Sequence, residues 1–435
     1  MSNRIQSLAL VVLGVPVLLL ALPAANADTI YVCWDGSGDY LAIQEGIDAG
    51  QDGDDVVVCQ GTYHENIDFR GKAITVMSSG GPNVTVIDGD AFFHVVRFAN
   101  GEGPGSVLDG FTIRDGLGWI DPFGRCAGGG IYCEQTSPTI KNNVIEGNQT
   151  IWFPHAIGIG GGICCLWGAR PTIMNCAIHA NEADYGAGIY CEMNSTPSLI
   201  NCTFSANWAV EDGGGMYVIE PIWRRSPDSS PLTNCTFTGN GSSLGMGGAI
   251  YMSQAVLNLT NCILWEDWAS QGPEIALRGS DVWPSWVTVY YCDVQDGQAG
   301  IYVDPYSILS WGEGNLDADP LFVDPDGNDY HLGTDSPCID AGDPNFVPGP
   351  DEQDIDGQMR VWDGDGDGQW IVDMGSDEFG SIIPGDLDGD GCVSQGDLGI
   401  LLSCWGSSGG DLNGDGNTDQ ADLGILLAHW GEGCP

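Results

Sequence analysis

From Gly110 onward the chain alternates apolar and polar positions in short bursts, and each burst opens on glycine or asparagine. One unit recurs as Gly128-Gly129-Gly130-Ile131-Tyr132-Cys133, Gly160-Gly161-Gly162-Ile163-Cys164-Cys165, Gly186-Ala187-Gly188-Ile189-Tyr190-Cys191, Gly213-Gly214-Gly215-Met216-Tyr217-Val218 and Gly247-Gly248-Ala249-Ile250-Tyr251-Met252. A second lies between its copies: Asn142-Asn143-Val144-Ile145, Asn175-Cys176-Ala177-Ile178, Asn201-Cys202-Thr203-Phe204, Asn234-Cys235-Thr236-Phe237 and Asn261-Cys262-Ile263-Leu264, with Gly110-Phe111-Thr112-Ile113 as an earlier copy. The spacing of 26 to 34 residues is that of a solenoid. Alternation with period two makes each unit a strand with one face inward, and no unit carries a helical apolar period. Short strands stacked coil on coil, with glycine at the corners, predict an all-β right-handed parallel β-helix.

Two columns follow from the register. Asn148, Asn181, Asn207 and Asn240 each lie three residues beyond an inward residue and are expected to stack as an amide ladder. Cys176, Cys202, Cys235 and Cys262 form an inward column. Neighbours about 4.8 Å apart could be bridged, but buried cysteine also serves as a small hydrophobe, and mostly free stacked thiols are expected. Cys33 and Cys59, outside the repeat and flanking a helix, make the better disulfide pair. That helix, over Tyr40 to Ala49, is amphipathic and suits a lid on the first coil. A strand at Val56-Val57-Val58 and a turn at Gly61-Thr62-Tyr63 follow. This opening, through Glu65-Asn66-Ile67, resembles the entry to pectinesterase-like and pectate-lyase-like β-helices. The resemblance implies fold and not activity, since no pectinesterase catalytic motif follows.

Beyond Asn315 the repeat breaks. Asp319-Pro320-Leu321-Phe322, Ser336-Pro337-Cys338-Ile339-Asp340-Ala341-Gly342, Asp354-Ile355-Asp356-Gly357 and Asp373-Met374-Gly375-Ser376-Asp377-Glu378-Phe379 resemble the tail of large bacterial surface β-helix proteins, which implies a segment that wraps and closes the C-terminal end. Asp363, Asp365 and Asp367 have calcium-loop spacing, but Met374 stands at the twelfth position, and an acidic turn is an equal reading.

Residues 386–406 and 411–431 then align without a gap at an offset of 25. Each opens on calcium-loop ligand spacing: Asp386, Asp388, Asp390, Gly391, Ser394 and Asp397, then Asp411, Asn413, Asp415, Gly416, Asp419 and Asp422, with Cys392 and Asn417 offering main-chain carbonyls. Calcium takes six to eight hard oxygens, and glycine at the sixth position permits the turn. Aspartate at position twelve and the lack of an entering helix resemble a type I dockerin. That resemblance implies Ca2+ and docking to a cohesin-type scaffold or cell-surface protein. Leu423, Leu426, Leu427 and Trp430 set the apolar face of the second exiting helix. The partner-contacting pairs expected of the family fall on Gln395-Gly396 and Gln420-Ala421.

The N-terminus bears on compartment. Arg4 precedes an apolar run from Leu8 to Leu22 and the small-x-small triplet Ala25-Asn26-Ala27, the pattern of a secretory signal. The expected organisation is a signal peptide at 1–27, a β-helix at 28–313, its closing segment at 314–380 and the dockerin-like module at 384–435. Without the signal the chain carries 60 acidic and 11 basic residues, a formal charge of −49. Such a field excludes nucleic acid and anionic membrane surfaces as partners and favours divalent cations.

Candidate chemistry gathers at lengthened corners. Between Ile113 and Gly128 stand Trp119, Asp121 and Phe123; between Asn148 and Gly160 stand Trp152, Phe153 and His155. Aromatic faces suit the C–H surfaces of sugars. On the next two coils Asp184 and Glu211 stack at that corner, with the spacing of a retaining glycosidase pair or a cation site, although a solvated acidic edge is the blander reading. Arg224, beside Trp223 and Arg225 in a third insertion, could take a uronate carboxylate. The expected function is polysaccharide binding or degradation, by a lyase or glycoside hydrolase, on a secreted scaffold. The competing reading is a non-catalytic surface or adhesion protein.

Overall fold

In the computed structural model, the described residues are 27–150, 156–219, 230–349, 352–364, 366, 368–380, 385–387, 393–407, 409–410, 412 and 417–431. Their body is a parallel β-helix with three long sheets. Sheet A has eleven strands, from Thr29–Val32 to Ile308–Trp311; sheet B has nine, from Gly61–His64 to Asp293–Val294; sheet C has nine, from Ile67–Asp68 to Ile301–Val303. A coil passes from C to A to B, as in Ile131–Glu134, Thr139–Lys141 and Val144–Glu146, and then turns at Asn148. Both repeated units are strands in parallel register: Ile131 pairs with Ile163 and Ile163 with Ile189, Ile145 with Ile178 and Ile178 with Phe204.

Sheet A was not among the expected repeating units, although the expected strand Val56-Val57-Val58 lies in it, within Asp55–Val58. Its strands in the middle coils are three or four residues long and place one residue inward, such as Ile140, Ile173, Leu199 and Leu232. One inward residue cannot display alternation. The expected turn at Gly61-Thr62-Tyr63 is the start of a strand, Gly61–His64, that opens sheet B. Helix α1 (Ile43–Ala49) buries Ile43 and Ile47 against the first coil, shorter than the expected Tyr40 to Ala49. Cys33 and Cys59 form a disulfide on that coil.

Glycine and asparagine occupy the corners because the backbone there is left-handed. Gly128, Gly160, Gly186, Gly213 and Gly247 have φ of 61–72°, and Asn142, Asn175, Asn201, Asn234 and Asn261 have φ of 51–55°. Inside, the two columns form. Asn148, Asn181 and Asn207 each donate Nδ2 to the Oδ1 of the next rung, at 3.1, 3.0 and 2.9 Å, and Asn240 donates to Asp267 Oδ1 at 2.8 Å. The cysteine column runs Cys176, Cys202, Cys235, Cys262 and Cys292, every member buried and unpaired. A shorter one, Cys133, Cys165 and Cys191, lines the inner face of sheet C.

The segment after Asn315 lies back along the solenoid. Ser376 bonds Thr236 and Thr203 on sheet B, and the Gln353 carbonyl accepts from Asn201 Nδ2 at 2.5 Å. Buried Arg360 ties its turns together, donating Nη2 to the carbonyls of Asp373 and Gly375 at 3.1 and 3.0 Å. Thus the expected closing segment flanks coils well before the last one.

Two predictions follow from these columns. Among the described residues twelve cysteines form no disulfide, so thiol titration of the denatured protein should find at least that number; a count near zero would replace the thiol columns by disulfides. The second concerns pH. Burial pushes Asp267 up to about 7, and Asp293 and Asp354 each to about 6. A carboxyl whose folded pKa is raised stabilises fully below its unfolded pKa near 4, and that stability is lost as pH rises through the folded value. The β-sheet melting temperature should therefore be higher at pH 5 than at pH 8. Asp267→Asn, which adds an amide rung, should raise it at pH 8 and flatten the profile; an unchanged profile would mean Asp267 is ionised throughout.

Candidate functional site

At Gly116 the chain leaves sheet B, and a side chain there would collide with the Gly129 carbonyl of the following turn. It then rises as a hairpin: Trp119–Ile120 pairs antiparallel with Cys126–Ala127, which pairs parallel with Gly158–Ile159. Asp121 fastens the tip. Its Oδ1 accepts the Phe123 and Arg125 N–H groups at 2.8 and 2.9 Å, and its Oδ2 takes Arg125 Nε at 2.8 Å. Arg125 Nη1 reaches Glu192 Oε2, at the far end of a sheet C strand, at 2.5 Å. The hairpin thus crosses the outer face of sheet C, and Phe123 meets Trp167 beyond the neighbouring strand with ring centroids 5.7 Å apart.

On the N-terminal side of this hairpin lies a cavity of about 280 Å³, lined by Asn66, Ile67, Asp68, Phe93, His94, Arg97 and Trp119. Its aromatic wall depends on a strained segment: Asp90, Ala91 and Phe93 have φ of 53°, 53° and 31°. Non-glycine residues hold such angles only where the surroundings impose them, often at functional sites. The distortion breaks the register of the sheet B strand between Asp88 and Phe92 and brings the Phe93 ring to 4.4 Å from Trp119. Trp119 is 48% exposed and Phe92 56%.

The polar wall is paired. Arg97 Nη1 meets Asp68 Oδ2 at 2.6 Å, and Asn100 donates to Asp68 Oδ1 at 2.9 Å. His94 stacks on Tyr132 at 4.5 Å, and its Nδ1 lies 2.6 Å from the Gly128 carbonyl. A carbonyl only accepts, so Nδ1 carries the proton. Burial, with Arg97 adding to it, pushes His94 down to about 4, so the ring is neutral at pH 7. The cavity combines an aromatic platform, a neutral imidazole and an internally neutralised ion pair. Such a set can stack a sugar ring and hydrogen-bond its hydroxyls.

Of the residues expected here, Trp119 lines the cavity, while Trp152, Phe153 and Arg224 lie outside the described residues. Asp184 and Glu211 occupy neighbouring coils, the Glu211 N–H donating to the Asp184 carbonyl at 2.9 Å. The Asp184 carboxylate turns to the preceding coil and accepts the Gly158 N–H at 2.7 Å, beside the base of the hairpin. Sequence reasoning missed Phe92, Phe93, His94, Asp68 and Arg97. The run Asp90-Ala91-Phe92-Phe93-His94 precedes the regular repeat and has no copy against which to stand out.

The C-terminal module repeats itself in structure. Helices α2 (Gln395–Ser403) and α3 (Gln420–Ala428) each open on a capping box, Ser394 with Asp397 and Asp419 with Asp422. Asp397 Oδ1 accepts the Leu387 N–H at 2.8 Å, and Asp422 Oδ1 the Leu412 N–H at 2.7 Å, so the twelfth-position carboxylates fold each loop back on its helix. Asp386, Asp397 and Asp422 are buried. Hard carboxylate oxygens drawn inward without a lysine or arginine in the module fit calcium. Asp386, Ser394, Asp397, Asn417, Asp419 and Asp422 would hold it; Asp388, Asp390, Cys392, Asp411, Asn413 and Asp415 lie outside the described residues. Leu401 and Leu426 fill the core between the helices, whereas Leu402, Trp405, Leu427 and Trp430 stay exposed. The expected apolar face of α3 is therefore divided: Leu426 is inside, Leu427 and Trp430 are outside.

The family model described as "Right handed beta helix region" matches residues 72–264. The body of the chain is a right-handed parallel β-helix. No curated protein matches it. Among solved structures, it is similar to pectate lyase Pel9A, at 15% identity over 82% of this chain and 97% of that one, with a TM-score of 0.45. Carrot pectin methylesterase follows at 14% identity, 66% and 82% coverage and TM-score 0.34, and alginate lyase from Paenibacillus sp. at 13%, 67% and 99% with TM-score 0.31.

Proposed function

We propose that this β-helix is an exported polysaccharide-binding protein that holds a glycan at the Trp119 cavity and is anchored through its calcium-loaded, dockerin-like C-terminus. The observation that carries this reading is the cavity itself. A strained backbone holds Phe93 against a half-exposed tryptophan, over a floor of paired polar groups. Folded proteins leave aromatic rings in water where something binds them. Degradation of the bound glycan is the second reading. It would draw on Asp184 and Glu211, which stand on neighbouring coils, once the Asp184 carboxylate is released from the Gly158 N–H on the coil opposite Glu211.

The anchor reading rests on the duplicated loops and on the exposed quartet Leu402, Trp405, Leu427 and Trp430, which suits a cohesin-type scaffold or surface protein. The signal-like N-terminus supports export, although residues 1–26 lie outside the described set.

Both halves are testable. On a polysaccharide panel, Trp119→Ala should weaken binding at least tenfold, since losing one stacked ring costs about 1.5 kcal/mol. Undiminished binding would remove the cavity from the function. Product release, read as reducing ends or as absorbance of unsaturated products, should collapse in Asp184→Asn if degradation occurs. Calcium addition to the chelated protein should increase helix content by circular dichroism, because acidic loops repel one another until a cation binds. A spectrum indifferent to calcium would refute the anchor's chemistry.

A further inference from the structure

The hairpin carries two aromatic platforms. Trp119 at its base faces the cavity with Phe93, and Phe123 at its tip stacks on Trp167 across sheet C. The tip pair is exposed, 58% at Phe123 and 40% at Trp167, and it is built rather than incidental. Trp167 occupies the left-handed corner that follows a sheet C strand, at φ 59°, as Gln135, Met193 and Gln254 do on other coils, so the solenoid's own turn holds the ring at the edge of the sheet. Phe123 is positioned by the Asp121 turn, with the Arg125 guanidinium carbon 5.5 Å from its ring centroid. Phe123 lies four positions beyond Trp119, so their Cα atoms are at most about 14 Å apart along the hairpin.

Charge defines the ligand. At the cavity Arg97 is matched by Asp68, and at the tip Arg125 is outnumbered by Asp121 and Glu192. Among the described residues neither platform offers an unmatched cation to a uronate or sulfate, and the chain as a whole stands at −48. An anionic glycan would enter against the field.

We propose that the hairpin tip is a second sugar-binding platform, and that the two platforms together hold an uncharged polysaccharide chain across the outer face of sheet C. This rests on the reading of the Trp119 cavity given above. Each platform contributes stacking, and the chain between them couples the two contacts, so affinity grows with chain length until both are filled.

Titration calorimetry of the full chain with neutral β-1,4-linked oligosaccharides, from disaccharide to hexasaccharide, tests this, with hexagalacturonate without added divalent metal as the charged counterpart. The best neutral hexasaccharide should bind at least tenfold more tightly than its disaccharide and than hexagalacturonate. Phe123→Ala should erase that gain while leaving disaccharide affinity unchanged, Phe123→Tyr should keep it, and Trp119→Ala should weaken both lengths. A length gain that survives Phe123→Ala overturns the second platform and leaves the cavity reading standing. Hexagalacturonate binding as tightly as the neutral chain overturns the uncharged ligand class. Failure of every saccharide to bind overturns the cavity reading itself, and the inference with it.

Discussion

Hydrogen bonding along the solenoid axis is the constraint on which everything else in this molecule depends. Every coil must satisfy its corner backbone groups without water, because the corner between sheets B and C turns inward. The Asn148–Asp267 column does this. Asn181 Oδ1 accepts both the backbone N–H and the Nδ2 of Asn148, at 3.0 and 3.1 Å, and Asn148 Nδ2 returns a bond to the Glu146 carbonyl. Asn181, Asn207 and Asn240 each bond a carbonyl of the preceding coil and the acceptor of the next rung at once. A shift of one residue would replace the amides by residues such as Gly147, Ala180 and Ala206 and leave buried donors unmade, at about 1–3 kcal/mol each. The ladder therefore fixes register more strictly than the strands it joins.

Such a ladder needs an end. Asn240 donates twice to Asp267 Oδ1, at 2.7 and 2.8 Å, and a carboxylate supplies that acceptor without another donor to satisfy. The remaining Asp267 oxygen and Glu274 Oε2 are buried and hold no other bond. Burial and the neighbouring Asp267 charge push Glu274 up. The corner between sheets A and B solves the same problem with sulfur. Cys176 Sγ faces the Met174 and Ile140 carbonyls, two residues back and one coil back, as Asn148 Nδ2 does with Glu146 and Ile113. Asn143 stands before the cysteine run and Asn315 after it, where the end coils lack a neighbouring thiol and an amide supplies the missing acceptor. Thiols suffice in the middle because they make weak demands when buried.

This division explains what the amino-acid pattern displayed. Periodicity made the solenoid legible, because a residue repeated on every coil leaves a mark at each repeat; the asparagine column was readable for that reason. Sheet A left little trace, since one inward residue per strand has no period. The cavity was legible only at Trp119, because Phe92, Phe93 and His94 occur once, on a coil before the repeat becomes regular. The segment after Asn315 was recognisable as a break, but its return along sheet B depends on contacts such as Ser376 with Thr236, 140 residues apart in sequence. Single-copy, long-range features are invisible to a method that works by comparing copies.

The location of the site follows from the same economy. A coil can lengthen a corner only where the ladder tolerates an excursion, and here the chain departs between the Asn column and the glycine triplets, leaving both intact. The hairpin is paired at its base to Gly158–Ile159 and pinned at its tip by Asp121 and Arg125, so it adds a surface without disturbing a rung. Its one cation, Arg125, is spent on Asp121 and on Glu192 of sheet C. In a chain this acidic, an arginine that stabilises a loop cannot also present free charge to a ligand, and recognition falls to rings and hydroxyl-bonding groups. Rigid stacked coils beneath and a short, doubly fastened hairpin above hold those rings in place before anything binds, which keeps the ordering cost of association low.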